Sequence, residues 1–155
     1  MYYVNEEQIW LRLHFIPFLQ RMADHILKMW KEGNGNADQS AIYSLAQERL
    51  LHLAVETVTD VGSMLIDGFM LREASSYEDI IRVLADEQMF SEEAAKVLDE
   101  LARLRKPLVQ QYVEWERGKV HELLETLPQV LEEFRTGVIA FMRKELPEIF
   151  SEGDR

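Results

Sequence analysis

The stretch LARLRKPLVQQYVEW, Leu101 to Trp115, sets a cationic pair, a proline and a tyrosine inside an otherwise apolar helical pattern. No other stretch combines residue types that suggest chemistry. Arg105 and Lys106 are followed by Pro107, Gln110 and Tyr112. On a straight helix Arg105 and Tyr112 share one stripe, while Gln110 lies roughly 140° round from Arg105. Bringing all three together therefore needs a bend or a second chain. With Arg103 the pair also forms a small basic cluster, which equally suits the negative end of a helix dipole.

The elements that must position these residues read as helices. Asn5 with Gln8 is a capping-box-like start, and Ile9, Leu13, Ile16, Leu19, Ala23, Ile26 and Trp30 follow at helical spacing to about Glu32. Pro17 inside this run predicts a kink. Leu11, Phe15, Phe18 and Met22 make the other side apolar too, as in a helix at a bundle centre or against a second copy. GNGNADQS, Gly33 to Ser40, is a loop with Asp38 or Ser40 as the next cap. A long second helix is expected from about Ala41 to Phe69, with Ile42, Leu45, Ala46, Leu50, Leu53, Ala54, Thr57, Val58, Val61 and Leu65 inward. Gly62 in its middle suggests that another backbone passes close.

Ser76 caps a short helix from Tyr77 to about Glu87, and Ser91 opens another that should stop at or before Lys106. Pro107 suits the first residue of a new turn, which places Arg105 and Lys106 at a junction of two helical segments. A last long helix is expected from Val120 through Phe141, kinked at Pro128. The expected organisation is a single helical bundle over residues 1–144 and a polar tail over 145–155. The fold class is all-α, an up-and-down bundle of about five helices.

The 155-residue chain carries 17 basic against 28 acidic side chains, a net charge of −11. A field of that sign repels nucleic acid, so any RNA contact must be a local patch, and no DNA partner is expected. The absence of cysteine removes disulfides, thiol catalysis and thiolate zinc sites. No segment approaches the length and apolarity of a membrane span, and the N-terminus lacks the pattern of a signal peptide, so a cytoplasmic protein is expected.

The string RKPLVQQY resembles the RxxxxHxY motif of HepT-like proteins in the HEPN superfamily, often RNxLVHxY. Arg105, Leu108, Val109 and Tyr112 match; Lys106 stands for the Asn and Gln110 for the His. Upstream, ERLLHLAVETVTDVGSMLIDGF resembles that family's second helix, commonly ending DIGNHLI, with Asp60 and Gly62 matching and Ser63 and Met64 replacing Asn and His. Downstream, VHELLETLPQVLEEF resembles the closing helix, so the likeness runs from about Gln47 to Phe141.

The resemblance implies metal-independent RNA cleavage without a cofactor, in a cleft across a homodimer, as the toxin half of a toxin–antitoxin pair. It implies that Arg105 holds the phosphate, which a guanidinium matches with two parallel hydrogen bonds, and that the position of Gln110 moves the proton. Asp60, at the matching acidic position of the second helix, either orients Arg105 across the bundle or is one more surface carboxylate. The resemblance also implies a minimal nucleotidyltransferase antitoxin that adenylylates Tyr112. Gln110 can hydrogen-bond but cannot exchange a proton, and loss of a general acid or base typically costs about 10²- to 10⁴-fold. Lys106 adds charge beside it. The reading is a toxin-type ribonuclease component with a degenerate, weak or inactive site. Its rival is a non-catalytic helical dimer that binds a nucleotidyltransferase or a nucleotide. A di-metal carboxylate enzyme is disfavoured: Glu48, His52 and Glu56 form one ladder, but no Glu-x-x-His pair occurs. His14, His25 and His121 are scattered, and no metal ligand set is assigned.

Overall fold

The computed structural model describes residues 2–33 and 36–147. Five helices of ten or more residues and one short helix build it: α1 (Glu6–Glu32), α2 (Ala37–Gly68), α3 (Tyr77–Asp86), α4 (Glu92–Arg103), α5 (Arg105–Gln110) and α6 (Leu127–Glu145). The all-α expectation holds, and no strand occurs among the described residues. The expected tail lies outside them from residue 148 onward.

Local chemistry explains most boundaries. The side chains of Asn5, Ser76 and Ser91 accept the backbone N–H groups of Gln8 (3.4 Å), Asp79 (3.0 Å) and Ala94 (3.1 Å), each satisfying a donor that a helix start leaves orphaned. The second helix begins earlier than expected. Its cap is Asn36, which accepts from the Gln39 N–H at 2.8 Å, rather than Asp38 or Ser40. Helix α1 runs unbroken through Pro17.

Helix α2 is the spine, packing against α1, α3, α4 and α5, while α6 lies on α1 and α4. Ile9, Leu13, Ile16 and Leu19 from α1 meet Leu51, Val58, Val61 and Leu65 from α2 and Phe134 and Val138 from α6 in one core. The inward stripe of α2 departs from expectation in its first third: Ile42 and Leu45 are exposed, and Ser44 and Gln47 are buried. Gly62 sits against α3, where a Cβ would fall on the Ile80 side chain and 3.3 Å from Leu84 Cδ1. The close neighbour there is a side chain, not the backbone expected. A true backbone contact occurs at Gly137 of α6, where a Cβ would fall on the Met89 carbonyl in the α3–α4 turn.

The last helix starts at Leu127, seven residues after the expected Val120, and Pro128 lies in its first turn rather than kinking its interior. The reason lies in α2. The Gly118 N–H donates to Ser44 Oγ (2.6 Å), the His121 N–H to Gln47 Oε1 (2.8 Å), and Gln47 Nε2 to the Lys119 carbonyl (3.3 Å). Arg117 pairs with Glu48, and Gly118 takes φ +101°, a region glycine enters without steric cost. Backbone groups between residues 117 and 121 thus find partners on α2, and the chain need not be helical there to satisfy them.

Candidate functional site

Helix α4 ends at Arg103, and Leu104 leads directly into α5 with Pro107 as its third residue. The missing N–H of Pro107 is among those a helix start leaves unpaired, so the proline fits this place two residues later than expected. The junction aims Arg105 back across the bundle. Its Nε donates to Glu56 Oε1 of α2 at 2.9 Å, and its guanidinium carbon lies 4.1 Å from the centre of the Tyr77 ring at the start of α3. The two terminal nitrogens of Arg105 make no hydrogen bond among the described residues. One edge of the guanidinium is fixed, one face is stacked, and the fork remains available to an anion.

Arg105, Lys106 and Gln110 line one cavity of 580 Å³, together with Ser76, Tyr77 and Arg103. Gln110 and Lys106 are exposed, and Lys106 makes no ion pair among the described residues. Arg103 is engaged by Asp99 at 2.7 Å and Glu78 at 3.7 Å. The Asp99 carboxylate strengthens its hold on its proton. The break at Leu104 and the short α5 thus bring Arg105 and the two altered motif positions, Lys106 and Gln110, to one cavity. No histidine lines that cavity.

Two expected members are elsewhere. Asp60 does not reach Arg105: it accepts from Arg12 Nε of α1 at 3.1 Å, and Arg12 is further held by the Gln8 carbonyl and side chain. The orienting carboxylate is Glu56, one turn earlier on α2. The same oxygen lies 3.4 Å from His52 Nε2, and His52 Nδ1 lies 3.2 Å from Arg49 Nη1. Arginine only donates, so these contacts suit a neutral ring that accepts at Nδ1 and carries its hydrogen on Nε2, facing Glu56. The signal was present in sequence, since His52, Glu56 and Asp60 recur at intervals of four on one helix stripe. Tyr112 lies beyond the end of α5, is 57% exposed, and does not line the Arg105 cavity. Its carbonyl accepts from Arg117 Nη2 at 2.8 Å, whereas its hydroxyl makes no hydrogen bond among the described residues.

The Glu48, His52, Glu56 ladder is occupied by protein partners, because Glu48 binds Arg117 and Glu56 binds Arg105. Among the described residues no group of three or more acidic or histidine side chains is disposed to hold a metal ion. No described helix is long and apolar enough to cross a membrane.

The family described as Ribonuclease HepT-like matches residues 19–136, which contain all of these side chains except Arg12 and Gln8. The chain belongs to the HepT-like family. It is 33% identical over 147 residues to "Putative RNase YutE" of Bacillus subtilis (strain 168), covering 94% of this chain and 95% of that protein. A solved structure of YutE from Bacillus subtilis, described as a cytosolic protein of unknown function, superposes with a TM-score of 0.78 at 31% identity. That match covers 94% of this chain and 96% of the solved one. The helical fold read from apolar spacing and caps, and the ribonuclease-like family read from RKPLVQQY and its flanking helices, are therefore established.

Proposed function

We propose that the protein is the toxin-type ribonuclease component of a toxin–antitoxin pair whose cleft binds RNA through Arg105 but cleaves it weakly or not at all. The observation that carries this reading is the state of Arg105: anchored at Nε by Glu56 and stacked on Tyr77, with its fork open to a cavity that contains Gln110 and no histidine. An oriented guanidinium binds a phosphodiester and stabilises charge that develops on it. A carboxamide in the proton-transfer position supplies hydrogen bonding alone. Lys106 adds a point charge for the phosphate without fixing its orientation.

Assembly follows the family. A homodimer would cover the apolar side chains that α1 leaves open, including Leu11 and Phe18, which are 58% and 42% exposed. The free Tyr112 hydroxyl is accessible to a minimal nucleotidyltransferase, and its adenylylation would place a charged phosphodiester just beyond α5. Likeness to a protein described as cytosolic supports a cytoplasmic location. The same exposed Tyr112 favours a second reading, a non-catalytic helical dimer that engages the transferase or a nucleotide.

RNA cleavage by the native chain, Gln110→His and Gln110→His/Lys106→Asn separates these readings. Restoring the imidazole is expected to raise cleavage by about 10²-fold or more, and adding Arg105→Ala is expected to abolish the gain. Folded variants that never cut RNA refute the ribonuclease reading. Incubation with the cognate transferase and ATP should add one AMP mass to the native chain and none to Tyr112→Phe.

A further inference from the structure

Tyr77 belongs to two cavities at once. It lines the Arg105 cavity, and with Ser76 it also lines a neighbouring groove of 340 Å³ formed by the end of α2, the segment after it and the start of α3. The residue is 43% exposed although the Arg105 guanidinium lies over its ring at 4.1 Å. Asp67 and Glu73 also line this groove, and neither has a hydrogen bond or ion pair among the described residues.

The groove is built on a braced loop. Asp79 accepts from Arg72 at 2.9 and 3.3 Å and from the Ser75 N–H and hydroxyl at 2.9 and 3.1 Å. Ser76 caps α3 through the Asp79 N–H. The Arg72 guanidinium, followed by the Ser75 N–H, holds the Asp79 carboxyl well below the usual carboxylate range. The segment that presents Ser75, Ser76 and Tyr77 is thus fixed before any ligand arrives, which lowers the ordering cost of binding.

We propose that Tyr77 is the stacking platform of a nucleobase subsite, in which the groove beside it takes a guanine of single-stranded RNA adjoining the phosphate held by Arg105. This inference rests on the reading of Arg105 as the phosphate-holding group. Bases of single-stranded RNA are recognised by stacking on aromatic rings and by hydrogen bonds to their edges. Tyr77 supplies a ring that borders both the groove and the cavity of Arg105, so a base on one side and its phosphate on the other would be neighbours. The unpaired carboxylates decide the class. They repel phosphate, so the groove admits the neutral base rather than the backbone. They only accept hydrogen bonds, and guanine alone among the four bases presents a ring N–H and an exocyclic amino group side by side, matching two carboxylate oxygens.

Fluorescence anisotropy with labelled pentanucleotides of uridine, varied at the central base, tests the subsite without requiring cleavage. The native chain should bind the guanine oligomer about tenfold more tightly than the inosine or all-uridine oligomer. Asp67→Asn/Glu73→Gln should erase that preference without weakening all-uridine binding, since it removes two charges that repel the strand. Tyr77→Ala should weaken guanine binding about tenfold, and Tyr77→Phe should retain it. Equal affinity for all central bases, or a guanine preference that survives the Asp67/Glu73 variant, overturns the proposal. Such a result with binding still lost in Arg105→Ala leaves the phosphate reading intact. Guanine-oligomer affinity, rather than preference, left undiminished by Arg105→Ala supports the base subsite and refutes that reading; no binding to any oligomer refutes both.

Discussion

Glu56, not Asp60, should couple energetically to Arg105, since the Arg105 Nε reaches Glu56 Oε1 at 2.9 Å while Asp60 pairs with Arg12. A double-mutant cycle of Glu56→Gln and Arg105→Ala isolates that coupling, because loss of the Tyr77 stack occurs in both arms that contain Arg105→Ala and cancels. The contact is a 2.9 Å charge-assisted hydrogen bond between side chains that are 26% and 32% exposed. Fully exposed ion pairs contribute about 0.2–1 kcal/mol, and hydrogen bonds to charged groups about 1.5–3 kcal/mol. Partial exposure places this pair between them, at about 1 kcal/mol. For a chain of this size that corresponds to about 2–4 °C in the melting midpoint. Urea unfolding of the four proteins reads it, and 1 M salt should reduce it by screening. The parallel cycle of Asp60→Asn with Arg105→Ala should be additive within about 0.5 kcal/mol, whereas Asp60→Asn should couple to Arg12→Ala. No coupling at Glu56, or coupling at Asp60 to Arg105, refutes the assignment.

Gly137→Ala should destabilise by about 1–3 kcal/mol in urea unfolding, because its methyl group meets the Met89 carbonyl, a backbone atom that cannot rotate away. His121 gives a pH signature. Burial, the largest influence, pushes its imidazole below the ordinary value, and its Nδ1 accepts the Leu123 N–H at 3.1 Å. The unfolded chain then binds a proton first as pH falls, so stability is held above about pH 6.5 and declines below it; His121→Gln should flatten the urea midpoint across that window. RNA binding through Arg105 and Lys106 alone should give a log–log salt slope of about −1.4, the value for two contacts on a single strand, and Lys106→Gln should halve it.

Helix existence was legible because caps and apolar spacing are local: Asn5, Ser76 and Ser91 do what their positions suggest. The candidate cation was legible too, since Arg105 stands at a break that Pro107 announces. Its partner was not. Glu56 and Asp60 lie one turn apart on the same stripe of α2, and the choice between them depends on how far along α2 the start of α5 crosses, which no periodicity encodes. The start of α6 was misread for a related reason. Val120 and Leu123 have helical spacing, but the buried Ser44 and Gln47, some seventy residues earlier (74 for Gly118 and Ser44), capture the intervening backbone. Their signal was two polar residues on an otherwise apolar stripe. Gly62 and Gly137 both lie inside long helices, yet one faces a side chain and the other a carbonyl, a difference that no local pattern encodes.

The charge distribution constrains what such a site can recognise. With 28 acidic and 17 basic side chains, long-range attraction of a polyanion is unavailable, and association must depend on contacts formed after encounter. The basic residues around α5 are largely committed: Arg103 to Asp99, Arg117 to Glu48, and one edge of Arg105 to Glu56. That leaves one oriented fork and the Lys106 ammonium to meet phosphate. Two cationic contacts position a strand but do not read it. Discrimination therefore has to come from stacking and base-edge hydrogen bonds, and Tyr77 is placed to link the two tasks, bracing Arg105 while bordering the groove that would receive a base. Removing the charge of Arg105 and removing the ring of Tyr77 should accordingly differ in kind: the first weakens every RNA alike, and the second weakens most the RNA that the groove prefers.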